Sequence, residues 1–327
     1  MRLITFAHQG EQRVGAWFDQ DRKVLDLARA HALAAGTAAQ ELASMQALIE
    51  AGEQGLDKAR RALQACPHEA VLATADVDLL APVPVPIQMR DCVAFEQHIR
   101  QAKQASARMR LRNHPYADEE FARLKASGAL DVPQVWYERP IYYKQNRFSV
   151  IGSGRDVQWP PYANVLDYEL EFGIFLGKTG RNIPRERARD YIFGYTVLND
   201  VSARDTQAAE QVGGMGPAKG KDFDTGNVLG PCIVTADELT DPYALRMTAR
   251  VDGEVWSEGN SGTMHHKFED IIAYISQSET LHAGEFIGSG TVGNGCGFEL
   301  GRYPQPGSVV ELTVESIGTV RNRYVRA

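Results

Sequence analysis

The chain has 327 residues, 43% of them hydrophobic and 24% charged, and a formal net charge of −7. That balance describes a soluble globular protein with room for one large domain and a small one. The acidic excess without any Lys/Arg block argues against a nucleic-acid or membrane surface as the partner, and no run of about 18 apolar residues offers a membrane span.

The opening residues, MRLITFAHQGEQRVGAWFDQ, lack a basic segment followed by an apolar one, so the expected location is cytoplasmic. Cys66, Cys92, Cys232 and Cys296 lie too far apart for a CxxC metal pair or a disulfide framework and are read as free thiols. Residues 1 to about 30 read as short strands, RLITFAH, RVGAWFD and KVLDL, separated by polar turns. Residues 38–64 keep helical spacing through Leu42, Met45, Leu48 and Ile49. A break is expected near Ala51 and Gly52, before a second helix from Asp57 to Ala65. The run LLAPVPVPIQ, residues 79–88, forces extended backbone. It reads as a linker between a small N-terminal β/α domain, residues 1–80, and a main domain, residues 81–327.

The main domain opens with MRDCVAFEQHIRQAKQASARMRLR. Phe95, Ile99 and Ala102 recur at helical spacing, which places His98 near the first turns of a helix with Asp91 just upstream. Residues 113–130 read as another short helix. WYERPIYYKQNRFSVIG then reads as strand, loop and strand, with Tyr142, Tyr143 and Lys144 at the bend.

The stretch Asp167–Gln207 organises the rest. In DYELEFGIFL, Asp167, Glu169 and Glu171 alternate with Tyr168, Leu170, Phe172 and Ile174, the period of a strand. Side chains two apart share a face at roughly 6–7 Å, so Glu169 and Glu171 project into one space. The run YIFGYTVLND ends in Asp200, and VSARDTQ can begin a helical turn with Arg204 and Gln207 on one side. Three converging buried carboxylates repel one another unless a cation neutralises them. Oxygen ligands favour Mg²⁺, with Ca²⁺ or Mn²⁺ as alternatives, over Zn²⁺. The rival reading of an isolated ExE is the solvated face of an amphipathic strand. For Arg204 the rival reading is an ion pair with Asp205 or Glu210.

Further along, the Gly-rich EQVGGMGPAKG reads as a loop able to cover a site, or as plain surface. ALRMTARVDGEVWSEG carries a DG hairpin turn. FEDIIAYISQSETL is amphipathic and helical, and GSVVELTVESIGTVRNRYV gives two strands joined near Ile317 and Gly318. GSGTVG, residues 288–293, satisfies G-x-G-x-x-G, but the following NGCGFELGRYPQPG cannot supply the phosphate-binding helix, so dinucleotide binding is rejected. Periodicity alone supports an α+β, strand-rich fold.

The blocks DCVAFEQH, PIYYKQN, DYELEFGIFLGK, GYTVLNDVSARDTQ, GKDFDTGNVLGP and SGTVGNGCGFELG, in this order over about residues 85–327, resemble the fumarylacetoacetate hydrolase family, in its two-domain bacterial form. The resemblance implies a mixed β-sheet roll, a homodimer, and a metal held by Glu169, Glu171 and Asp200, with Asp91 approaching the same ion. It implies substrate contacts by Gln207, Tyr143 and Thr291, and catalytic roles for His98, Lys221 and Arg204.

Cleaving a carbon–carbon bond between two carbonyls needs a nucleophilic water and a stabilised enolate leaving group. His98 is the candidate base, Glu299 its orienting partner, and Lys221 and Arg204 offset negative charge. The expected function is metal-dependent hydrolysis of a diketo acid such as fumarylacetoacetate or an acylpyruvate. The alternative is a decarboxylase or keto–enol tautomerase of a small 2-oxo diacid such as oxaloacetate. A non-catalytic metal-stabilised binding protein is disfavoured by His98, Lys221 and Arg204 occurring together.

Overall fold

Leu170–Leu176 is buried at every position, and it lies in a twelve-stranded sheet in a computed structural model that describes residues 1–326. The sheet runs, in spatial order, through Val71–Ala73, Lys23–Asp26, Glu11–Phe18, Arg2–His8, Asn227–Thr235, Ile192–Asp200, Leu170–Leu176, Phe286–Gly288, Met89–Cys92 and Tyr142–Lys144, with Asp78–Leu79 paired to Arg2–His8 and Val150–Ile151 to Asn227–Thr235 off this path. A five-stranded sheet is built from Glu254–Asn260, Arg246–Val251, Val309–Val314, Gly318–Arg326 and Val157–Trp159. Phe172, Ile174 and Val197 from the first sheet share one apolar core with Met247, Leu312 and Tyr324 from the second. The fold is α+β and strand-rich, and a strand covered on both faces reads as nearly continuous apolar sequence.

Strands from the first eighty residues continue the sheet of the later ones. Arg2 pairs with Val234 and Leu3 with Ile233 in antiparallel register. The proline run packs against this junction: Thr5 Oγ1 donates to the Pro82 carbonyl at 2.6 Å, and Ala81 and Val83 are buried.

Most elements follow the local sequence. Asp26 ends its strand and caps the helix Leu27–Ala35, its side chain accepting from Arg29 N at 3.0 Å. Gly52, at φ +54° and ψ −133°, breaks the helix Met45–Ala65 where the periodicity fails. The DG hairpin forms between Arg246–Val251 and Glu254–Asn260, with Asp252 and Gly253 both at positive φ. The residues Trp136 and Tyr137 differ from expectation, lying in the short helix Gln134–Glu138 rather than a strand. Tyr142–Lys144 is itself a strand, because its backbone pairs with Met89–Cys92.

Candidate active site

Three strands and a turn build a buried acidic centre. Asp91 stands on Met89–Cys92, Glu171 on Leu170–Leu176 and Asp200 at the end of Ile192–Asp200, and one oxygen from each lies within 4.8 Å of the others. Gly290 N donates to Asp91 Oδ1 at 2.9 Å, Thr291 Oγ1 donates to Glu171 Oε1 at 3.0 Å, and the Tyr143 hydroxyl donates to Asp200. Among the described residues, Glu171 Oε2 and Asp200 Oδ1 are buried without a hydrogen-bond partner.

Burial, then repulsion from Asp200, pushes the Asp91 carboxyl up to about 7. Burial, with Asp91 and Glu169 behind it, pushes Glu171 well above the usual range. Asp200 is raised by burial despite the opposing charge of Lys221. Two orphaned carboxylate oxygens in an all-oxygen set fit a hard divalent cation.

Glu169 sits beside this triad, with a cation at each oxygen. Lys221 Nζ donates to Glu169 Oε2 at 2.5 Å and to Asp200 Oδ2 at 2.6 Å. An Arg204 terminal nitrogen lies 2.9 Å from Glu169 Oε1. Burial alone would raise the Glu169 carboxyl, but the charges of Lys221 and Arg204 outweigh it and hold it at about 2.

Arg204 does not pair with Asp205 or Glu210. Its Nε donates to Asp167 Oδ2 at 2.8 Å and its Nη1 to Gln207 Oε1 at 3.0 Å. Asp205 instead accepts from the Asn164 backbone and side chain. Glu210 accepts from Ala218 N, Lys219 N and Gly220 N, tying the end of the Gly-rich loop back to the helix Arg204–Val212.

Sequence reasoning missed Asp167 as a site residue. It is fully buried and accepts from Gly297 N and Phe298 N, both at 2.9 Å, as well as from Arg204. Its signal was present, since Asp167 opens the same alternating row as Glu169 and Glu171.

His98 lies in the first turn of the helix Glu96–Leu111, and its Nδ1 is 3.1 Å from Glu299 Oε1. Glu299 Oε2 accepts from Cys296 N at 3.2 Å, which fixes the carboxylate. Burial would lower the His98 pKa, but the charge and hydrogen bond of Glu299 raise it above the ordinary value.

One cavity of about 540 Å³ takes in Asp91, His98, Tyr143, Glu169, Glu171, Arg204, Gln207, Lys221 and Thr291. Asp200 and Glu299 stand just behind, holding Lys221 and His98. Ile99, Met109, Leu130 and Val212 give the same cavity an apolar wall. The arrangement can bind an acid, polarise a carbonyl and move a proton.

The comparisons define the class. The sequence profile of the fumarylacetoacetate (FAA) hydrolase C-terminal domain matches residues 89–325. The chain belongs to this family. Human "Oxaloacetate tautomerase FAHD2A, mitochondrial" is 33% identical over 283 residues, covering 86% of this chain and 80% of that protein. Its rat counterpart is 32% identical over 286 residues, with the same coverages. The solved structure of a fumarylacetoacetate hydrolase from psychrophilic Exiguobacterium antarcticum superposes with a TM-score of 0.73 at 25% identity, covering 100% of both chains. Maleylpyruvate hydrolase from Sphingobium sp. SYK-6 shares the fold at 22% identity, with a TM-score of 0.71 and 100% of both chains covered. Among the described residues no helix is long and apolar enough to cross a membrane.

Proposed function

We propose that the chain is a metal-dependent enzyme that hydrolyses a carbon–carbon bond in a small diketo acid. The observation that carries this reading is that His98, paired with Glu299, lines the same cavity as Asp91 and Glu171 of the oxygen triad, so a proton acceptor and a candidate cation-binding centre face one substrate volume. Asp91, Glu171 and Asp200, with Glu169 beside them, are the proposed holders of Mg²⁺, or of Ca²⁺ or Mn²⁺ in its place. When bound, such an ion polarises a carbonyl and steadies an enolate.

The chain's own residues do the rest. Arg204 and Gln207, held together at 3.0 Å, receive the substrate carboxylate, with Tyr143 and Thr291 as further contacts. His98 takes a proton from water, and the Glu299 carboxylate steadies the imidazolium that results. Lys221, between Glu169 and Asp200, offsets negative charge as the bond breaks. A cytoplasmic homodimer completes the reading.

The names of the human and rat relatives favour a second reading, keto–enol tautomerisation of oxaloacetate, with decarboxylation of such a 2-oxo diacid as its variant. That chemistry shares the enolate and needs no attacking water. The test is to assay wild type and His98→Ala on a panel of diketo acids and on oxaloacetate, following enol absorbance with Mg²⁺ and with chelator. Hydrolysis should need the metal and fall by about 10²–10⁴-fold in His98→Ala. Equal hydrolysis by both proteins removes the role given to His98, and turnover of oxaloacetate alone establishes the second reading.

A further inference from the structure

Beside the oxygen triad stands a second cluster with different ligand chemistry. His98, Cys296 and Glu299 each offer one ligand atom, and these atoms lie within 4.8 Å of one another. His98 Nδ1 is 3.1 Å from Glu299 Oε1, and Cys296 Sγ is 3.5 Å from Glu299 Oε2. Ligand atoms in a tetrahedral zinc site stand roughly 3.3–3.8 Å apart. The two distances run to different oxygens of one carboxylate, and one atom from each residue lies within 4.8 Å of the others, so a short inward movement reaches that spacing. Among the described residues, Cys296 is the only one of the four thiols in such a group.

We infer that His98, Cys296 and Glu299 form a second metal site, one that takes a thiophilic divalent ion of the zinc class and switches the enzyme off. Three protein ligands of nitrogen, sulfur and oxygen type leave a fourth position open, the pattern of an accessible zinc site. The all-oxygen triad carries no soft ligand, so the two centres sort ions by hardness: Mg²⁺ to the carboxylates, zinc-class ions to the thiol. Entry is through His98, which lines the cavity, while the Cys296 and Glu299 side chains are buried behind it. Binding forms a metal–sulfur bond, breaks the S–H bond and sends that proton to solvent, with no change of oxidation state. The ion takes the lone pair of His98 Nδ1, the ring proton resides on Nε2, and the ring then has no lone pair left to accept a proton from water. Inhibition rests on the base role proposed for His98, whereas metal binding does not.

The experiment titrates the Mg²⁺-loaded protein with Co²⁺ and then Zn²⁺. Wild type should develop a thiolate-to-cobalt charge-transfer band that Zn²⁺ abolishes, and Cys296→Ser, which keeps a hydroxyl donor of similar size, should show none. The Zn²⁺ concentration that halves Mg²⁺-supported turnover should rise at least about tenfold in Cys296→Ser. Absence of the cobalt band in wild type overturns the site whatever the enzyme's substrate proves to be. Equal Zn²⁺ sensitivity of the two proteins overturns the inhibitory role and assigns Zn²⁺ to the oxygen triad. Should the variant fail to fold, the cobalt band in wild type and its loss in His98→Ala decide the matter.

Discussion

At the scale of single residues, the site works by pairing each buried charge with a partner that sets its state. His98 can serve as the proposed base only when neutral, and Glu299 holds its pKa above the ordinary histidine value. The acidic limb of the kcat/KM profile should therefore lie above about pH 6.5. In Glu299→Gln the attraction disappears and burial dominates, so the limb should move to lower pH while the rate falls. A limb that stays in place would show that His98 is not the titrating base. The same pair contributes stability that is fully present below the unfolded histidine pKa and lost as pH rises through the raised folded value. Arg204 gives a second prediction. It faces Asp167 at 2.8 Å and Glu169 at 2.9 Å, all three side chains being buried, so Arg204→Met leaves Asp167 without a cation and Glu169 with Lys221 alone. Stability should fall by about 3–5 kcal/mol, measured as a lowered denaturant midpoint. Arg204→Lys should recover part of that loss while the KM for an acidic substrate stays raised, because an ammonium cannot reproduce the guanidinium fork.

At the scale of elements, the close approach of strands places the carboxylates. Gly288 pairs with Asp91 across the parallel strands Phe286–Gly288 and Met89–Cys92. A Cβ there would stand 2.4 Å from Asp91 Oδ1 and 2.9 Å from Leu198 Cδ2. Gly288→Ala should therefore displace Asp91 and weaken Mg²⁺ binding by at least about tenfold, measured by calorimetry, with the circular dichroism spectrum unchanged. Unchanged affinity would separate Asp91 from the metal. The alternation of DYELEFGIFL made this strand legible, and Asp200 was legible as the end of an apolar run. The alternation does not say what its polar side faces. Here Glu169 and Glu171 face a cavity instead of water, Glu169 against Lys221 and Arg204 and Glu171 against Thr291, which only the strands on either side decide. The pairing of Arg204 with Asp167 was hidden for the same reason: Asp205 and Glu210 are nearer along the chain, but Asp167 is nearer in space because Leu166–Asp167 pairs with Ser202–Ala203. WYE was misread because three aromatic or acidic residues carry no usable period, and the helix they form depends on Trp136 packing with His265 and His266.

At the scale of the whole molecule, the first eighty residues and the rest share one sheet, although the Pro-rich run between them reads as a linker. Asn227–Thr235 takes Arg2–His8 as its neighbour, so a segment 81–327 made alone would expose that strand as an unpaired edge. It should elute from size exclusion as aggregate, where the full chain elutes as a discrete species; a stable, active 81–327 segment would contradict this.

The proposed metal ligands lie on strands far apart in sequence, whereas much of the apolar wall comes from elsewhere. Ile99 and Met109 belong to the helix Glu96–Leu111 and Val212 ends the helix Arg204–Val212, neither of which is part of a sheet. The proposed ion holders are thus borne by strands, whereas these two helices carry the apolar wall together with the proposed base His98 and the proposed contacts Arg204 and Gln207. Substitutions confined to Ile99, Met109 and Val212 would reshape the chamber for a longer or shorter acid, while the strand-borne acids stay where the sheet holds them. One scaffold can in this way diversify its diet without relearning its reaction.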